Sequence, residues 1–561
     1  MNTPGQTQAR LEKRTITLIA GTLWVTSSLL IGTWIYTRAT NTPVTTWNPV
    51  ALTINLLSGH QTANQMIWLT VLATALTQLA IFGVIRRSRG RAKPKNQRGD
   101  EVARVTGQDI TTLTTSSATA KAKRLGVDSP GLPVGISVRG GKPLYSNWED
   151  VSTLIAGMRT GKTTSWVIPR ILQTPGAVLV TSNKRDVVDA TIRPRTKNGQ
   201  TAWIFDPQQV VGNKPQTCWW NPLTFVKDPA HAIKLSNVLV DATREKNATS
   251  NAFFDNSARD LVAGLILAAA LGNRPITEIF TWVNDDTDTT AQTILVRHHQ
   301  PLWADRLEGI ASLVPQTRSG VYGGASTMLQ FLSNPENANW ITPQHDIPEF
   351  QHEQFVTSTD TLYALSLEGG GSAAPILAAL TVAVAEAALD QGAKSPGGRL
   401  ATPMLIELDE AANICPWREL PNQYSHFGSR GIVVDTILQS WSQGVEVWGE
   451  AGMKKLWGPA NLSIYLGGSK EIPFLKDLSE LIGDIWEDSI NISTGRGGRS
   501  QSRSLDSQRR PLATISQLAA LPLGRAWVFA SGATPVLIQT QPWMTSPNAH
   551  EITQSIKQHA N

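Results

Sequence analysis

The chain has 561 residues, room for more than one domain and a large core. Charged residues make up 17% of it, below the ~25% of ordinary soluble domains, so part of the chain is expected in lipid. Cys218 and Cys415 are the only cysteines and lie far apart, which argues against a disulfide framework or a zinc site, while a net charge of +6 admits an anionic partner, nucleic acid or lipid.

In chain order, two uncharged stretches come first, Ile16–Tyr36 and Met66–Ile85. Each is about 20 residues, enough to cross hydrocarbon as a helix. Neither shows an amphipathic face, and no small-residue cleavage site follows the first. Two transmembrane helices are therefore expected, not core helices or a signal peptide. Arg10, Lys13 and Arg14 precede the first span, and Arg86, Arg87, Arg89, Arg91, Lys93, Lys95 and Arg98 follow the second. Only Arg38 lies between, so the positive-inside bias puts both termini in the cytoplasm. The basic run after Ile85 reads as lipid-headgroup contact. Residues 1–98 form an expected membrane domain. Residues 99–145, with Thr/Ser-rich and Pro/Gly-rich pieces, read as a linker and lead-in segment.

From residue 151 short apolar runs alternate with helical patterns. Candidate strands are Val151–Ala156, Ala177–Thr181, Ala202–Asp206, Thr361–Ser366, Met404–Leu408, Ile432–Leu438, Leu462–Leu466, Ala526–Ala530 and Val536–Gln539. Most are continuously apolar, as strands covered on both faces are, and their alternation with helices predicts a mostly parallel α/β sheet. Residues 228–347 break the rhythm with helical patterns alone, so an all-α insertion is expected there between 146–227 and 348–561. The Gly/Ser/Arg-rich tract Thr494 to Arg510 reads as a mobile loop.

The first candidate strand runs into Ala156-Gly157-Met158-Arg159-Thr160-Gly161-Lys162-Thr163-Thr164, with a helical pattern behind it. Strand, glycine-containing loop, Gly-Lys-Thr and helix start are the context of a phosphate-binding P-loop. Backbone N–H groups and the helix dipole would receive the phosphates of ATP. Lys162 would reach the β- and γ-phosphates, and the Thr163 hydroxyl would ligate Mg²⁺. The usual pattern has glycine where Ala156 stands. A methyl group there costs little if the backbone keeps a negative φ.

Turnover needs a metal-holding carboxylate and a base. Met404–Leu408 ends in Asp409-Glu410, and such a pair at the carboxyl end of a central strand would face the P-loop crevice. Asp409 would hold Mg²⁺ and Glu410 would polarise the attacking water. Glu407 interrupts the apolar run and needs a polar partner or an interface. Ile432–Leu438 ends in Gln439, placed as a γ-phosphate sensor would be. Arg430, just before that strand, reads either as an arginine finger toward a neighbouring subunit or as a surface salt bridge.

These motifs together resemble the coupling proteins of conjugative type IV secretion systems, the TraG/TraD-like ATPases. The resemblance rests on Ala156 to Thr164 with Trp166-Val167-Ile168-Pro169, on Asn221-Pro222-Leu223, and on Leu408-Asp409-Glu410-Ala411-Ala412-Asn413. It continues through Arg430-Gly431-Ile432, Gln439-Ser440, Trp448-Gly449 and Arg510-Pro511-Leu512, behind two membrane helices. It implies a RecA-like P-loop motor similar to the FtsK/HerA translocases, assembled as a homo-hexamer at the inner membrane. It also implies coupling of a relaxase-bound DNA strand or a secreted protein to the secretion channel, with DNA gripped by its backbone and not read for sequence. Where family members often carry Asp-x-Lys-Gly after the second strand, this chain reads Ser182-Asn183-Lys184-Arg185-Asp186. An FtsK-type DNA translocase and a non-hydrolysing membrane receptor for secreted proteins are the competing readings.

Overall fold

The computed structural model describes residues 24, 26–41, 47–58, 67, 69–78, 107, 109–212, 214–243, 252–367, 373–494 and 501–559. They belong to two compact units, Met1–Asn96 and Gln97–Asn561.

In the first unit, residues 26–40, Pro49–Leu57 and Leu69–Gln78 are helical. A side chain on Gly32 would lie 2.6 Å from the Val71 Cα, so the two outer helices meet at a bare backbone, as apolar helices do through small residues. The Ser28 hydroxyl donates to Gln78 Oε1 at 2.8 Å across the same contact. The expected spans Ile16–Tyr36 and Met66–Ile85 are helical where described. Their outer ends and the arginines and lysines beyond them lie outside the described residues. The helix Pro49–Leu57, capped by the Asn48 side chain, sits where a plain loop between the spans was expected. Among the described residues the one helix long and apolar enough to cross a membrane is Ala374–Lys394, and it is a core helix, two-thirds buried in the second unit.

The second unit is built on one sheet of eleven strands. In chain order these are β1 (Leu132–Ser137), β2 (Pro143–Ser146), β3 (Ser152–Ile155), β4 (Val178–Ser182), β5 (Ala202–Phe205), β6 (Thr361–Leu365), β7 (Met404–Leu408), β8 (Ile432–Leu438) and β9 (Leu462–Tyr465), then β12 (Arg525–Ala530) and β13 (Val536–Gln539). The numbering passes over a separate hairpin of β10 (Asp484–Thr494) and β11 (Gln501–Pro511). Across the sheet the order is β2-β1-β13-β12-β9-β3-β8-β7-β4-β6-β5. From β9 to β5 every pairing is parallel; from β12 outward every pairing is antiparallel. All nine strands expected from apolar runs are present.

Two segments differ from expectation. Residues 99–145 carry β1 and β2, which close the antiparallel edge of the sheet, so this stretch is not simply a linker. Its Gly135 takes a φ of 148° beside the Gln539 backbone, the kind of irregularity that hides a strand from a search for apolar runs. The tract Thr494 to Arg510 supplies most of β11, paired from Gln501 to Pro511 with β10, so it is not a loop throughout.

Between β5 and β6 the described chain is helical, from Pro229–Thr243 and Ala252–Leu271 to Pro335–Ile341. This block buries its apolar residues with the helix Ala374–Lys394 in one core on one face of the sheet, with Ile406, Leu408 and Val434. The other face packs Leu154, Val180, Leu405 and Val433 under Trp166 and Ile171. Alternation along β7 puts Glu407 on this second face with Leu405.

Glu407 is fully buried and stands opposite Asp435 in the β7–β8 register. Asp435 is bound by Arg170, whose Nε and Nη2 donate to its two carboxylate oxygens at 2.5 and 3.0 Å. Both members of that pair have no solvent exposure. The Trp166 indole N–H also donates to Asp435, at 3.2 Å, and the guanidinium lies over the Trp166 ring. Burial and the Asp435 carboxylate push Glu407 well above the usual carboxylate range, so it is held as the neutral acid.

Removing one partner of a buried pair leaves the other charge unpaired. Asp435→Ala should therefore cost about 3–5 kcal/mol in denaturant unfolding. For Glu407 the folded state holds a proton that the unfolded chain releases above its ordinary value of 4.5. Stability from this group is complete below that value and falls as pH rises toward the folded pKa. Glu407→Gln should accordingly flatten the decline of the unfolding midpoint as pH rises above 4.5.

Candidate active site

The carboxyl ends of the parallel strands converge on the P-loop. The Ala156 N–H donates to the Leu438 carbonyl at 2.9 Å, extending the β3–β8 ladder by one residue. Ala156 is buried, is not among the residues with positive φ, and adds its methyl group to the core. Glycine is needed one place later. A Cβ on Gly157 would stand 2.7 Å from the Gly468 backbone, and one on Gly468 would stand 2.9 Å from the Gly157 Cα. The Gly157 N–H donates to the Gly467 carbonyl at 2.9 Å. Two glycines back to back, not the first P-loop position, fix the start of this loop.

Met158 and Arg159 lie exposed at the tip, with Arg159 at a φ of 60° and Gly161 at 85°. Thr160 Oγ1 donates to the Gly157 carbonyl at 2.8 Å and Thr164 Oγ1 to that of Gly161 at 3.1 Å, closing the loop on itself. The helix behind it opens with a wide turn at Thr163–Val167, in which the Ile168 N–H reaches the Thr163 carbonyl. Pro169 explains the width: it has no N–H for the Ser165 carbonyl four residues back.

Lys162 is buried and points between the two acids. Its Nζ donates to Glu410 Oε1 at 2.7 Å and lies 3.0 Å from Asp409 Oδ1. Gln439 Nε2 donates to the other oxygen of Glu410 at 2.6 Å, and Asn183 Nδ2 lies at 3.4 Å from the same oxygen. Glu410 has a left-handed backbone, φ 58° and ψ 45°, a conformation that costs a non-glycine residue energy and turns its carboxylate in toward the lysine. Burial alone would lower the Lys162 pKa, but Asp409 and Glu410 outweigh it and hold the ammonium above the ordinary lysine value. Burial raises Asp409 despite Lys162. For Glu410 the burial effect is overcome by Lys162 and by Gln439, and its pKa is lowered.

Four of the expected residues, Lys162, Asp409, Glu410 and Gln439, are therefore linked in one cluster, with Lys162 joining the two acids and Gln439 on Glu410. Arg430 is not among them. It precedes β8, at the end of the strand opposite the crevice, and donates to the Gly398 carbonyl at 2.8 Å. The seven residues of β8 place it about 20 Å from the crevice of its own chain. Among the described residues it forms no ion pair. Two contributors were absent from the sequence reading. Asn183 lies within the departure from Asp-x-Lys-Gly, which was the available signal for it. Gly467-Gly468 follows β9 and carries no motif.

Among the described residues no cluster of three His, Cys, Asp or Glu side chains could hold a metal ion by itself. A Mg²⁺ shared with phosphate oxygens needs fewer protein ligands. The hard oxygens of Thr163 and Asp409 suit it; Asp409 Oδ1 is buried, with the Lys162 ammonium 3.0 Å away as its partner.

Fold and cluster define the class: a mixed α/β protein with a large, centrally parallel sheet and a lysine–carboxylate cluster at the carboxyl ends of its strands. Residues 403–523 match the family described as the TraM recognition site of TraD and TraG. Conjugal transfer protein TraG of Agrobacterium fabrum is 24% identical over 402 residues, 70% of this chain, and TraG of Rhizobium radiobacter is equally similar. The chain spans 60% and 61% of the length of these relatives. The unbound bacterial conjugative coupling protein TrwBdeltaN70 superposes with a TM-score of 0.56 at 18% identity, over 79% of this chain and 91% of its own. TrwB in complex with ADP and Mg²⁺ gives 0.54 at 18%, over 75% and 92%. The chain is TraG/TraD-like, similar to the conjugative coupling proteins in both sequence and fold.

The glycine pair makes an asymmetric prediction. Ala156→Gly should change affinity for a non-hydrolysable ATP analogue by less than about threefold, whereas Gly157→Ala should weaken it by at least about tenfold, roughly 1.4 kcal/mol, in titration calorimetry.

Proposed function

We propose that this chain is a membrane-bound ATPase that couples a DNA–relaxase or protein substrate to a type IV secretion channel and drives conjugative DNA transfer. The observation that supports it most is the meeting of Lys162 and Glu410 across 248 positions of sequence, with Asp409 and Gln439 in the same crevice.

In this reading the ATP phosphates lie along the loop Ala156–Thr164, and Lys162 turns from the acids to the β- and γ-phosphate oxygens. Glu410, freed from the lysine, would take a proton from the attacking water. Gln439 keeps the second Glu410 oxygen occupied and so aims the first. Thr163 and Asp409 would hold Mg²⁺, which neutralises charge on the phosphates. Arg430, remote from its own crevice, would serve a neighbouring subunit's nucleotide in a homo-hexamer. That ring, the DNA cargo, the relaxase and the channel proteins are carried over from the TraG/TraD likeness. TrwB, the relative of similar fold, has been observed with ADP and Mg²⁺.

The domain reading belongs to the same proposal. Residues 1–98 would anchor the chain in the inner membrane with both termini cytoplasmic. Residues 146–227 and 348–561 would be the motor, and 228–347 the insertion that recognises cargo.

The full chain in detergent should hydrolyse ATP, faster with DNA present. Lys162→Ala and Glu410→Gln should each lower kcat by at least about 100-fold, and Glu410→Gln should still bind ATP. Because Lys162 lowers the Glu410 pKa, kcat/KM should not fall between pH 8 and 6 through loss of the base. A chain that binds ATP without turnover would instead fit the receptor reading, and an unimpaired Lys162→Ala would remove the site assignment.

A further inference from the structure

We propose that Glu471 is a positioning residue, which holds Gln439 in register with the P-loop through the start of the helix Trp441–Trp457. The inference rests on the ATPase reading above. Gln439 stands next to Ser440, the N-cap of this helix, and its backbone N–H donates to Gln443 Oε1 at 3.0 Å. Whatever fixes the first turn of the helix therefore fixes the side chain that touches Glu410.

Two residues fix that turn. Ser440 Oγ accepts from the Gln443 N–H at 3.2 Å as an ordinary N-cap. Glu471 comes from a different part of the chain. Its two carboxylate oxygens accept the Trp441 and Ser442 N–H groups, each at 2.9 Å. A carboxylate is the fitting partner, since free N–H groups and the positive end of the helix dipole meet there.

The segment that carries Glu471 also touches the P-loop. Its first residues, Gly467 and Gly468, accept the Gly157 N–H and pack against the Gly157 backbone. Ser469 donates its hydroxyl to Glu471 and accepts the Glu471 N–H, which sets the carboxylate's direction. Further along, the Phe474 ring stacks on Trp441 with centroids 5.4 Å apart and planes 19° apart. One short stretch, Gly467 to Phe474, thus grips the phosphate loop at one end and the sensor helix at the other. A displacement of Gly157 on nucleotide binding passes through it to Gln439.

In steady-state assays of the full chain, Glu471→Ala should lower kcat about 10- to 100-fold, with KM for ATP changed less than about threefold. Glu471→Gln keeps a carbonyl acceptor and should recover most of the rate. Glu471→Ala combined with Gln439→Ala should be no slower than Gln439→Ala alone, because both interrupt one path. A raised KM at unchanged kcat, multiplied losses in the double variant, or no recovery by Glu471→Gln would overturn the proposal. Absence of turnover in the wild-type chain would instead defeat the ATPase reading, and amide exchange then decides for Glu471. Adding a non-hydrolysable ATP analogue should change exchange at Trp441 and Ser442 in wild type but not in Glu471→Ala; equal behaviour of the two would sink it.

Discussion

A single ammonium group shared by two carboxylates is the constraint on which the candidate site depends. Lys162 lies within 3.0 Å of Asp409 and 2.7 Å of Glu410, largely out of water. A buried cation between buried anions is stable only while all three stay together, since any one left alone carries a large desolvation penalty. The cluster separates its two acids by environment. Asp409, wholly enclosed, is pushed up; Glu410, held by Lys162 and Gln439, is pushed down.

The rest of the second unit holds that cluster in place. β3 ends at the phosphate loop, β7 at the acids and β8 at Gln439; these are adjacent strands in the order β3-β8-β7. Beneath them the P-loop helix is pinned to β8 by the buried Arg170–Asp435 pair, with Glu407 neutral alongside. The polar residues on these central strands thus have two distinct employments. Those past the carboxyl ends face the crevice; of those within the strands, Asp435 ties the helix to the sheet, and Thr153 and Thr436 bond Tyr424.

One departure from the motif changes its meaning in the fold. Alanine in place of the first P-loop glycine looks like a weakened motif when only spacing is considered. In the fold that position is a buried extension of β3, and the close approach that excludes a side chain has moved to Gly157 against Gly468.

Much of this protein was legible before any coordinates. Continuous apolar runs located nine strands to within a residue or so, because strands covered on both faces leave no polar alternation to confuse them. Lys162, Asp409, Glu410 and Gln439 could be named because each ends or follows such a run. Strands β1 and β2 were missed, since proline, glycine and edge exposure mask a strand from hydrophobicity alone. Sequence spacing also left the reach of Arg430 open; the direction of β8 decided it, placing the arginine a strand's length from its own crevice. Local composition by itself determined which segments are strands, which loop suits phosphate and which acids stand ready. Only the tertiary structure decided what meets between distant elements: Glu407 with Asp435, Gly157 with Gly468, and Glu471 with the first turn of the helix behind Gln439. Such contacts depend on strand order and loop course, which no local pattern of side chains encodes.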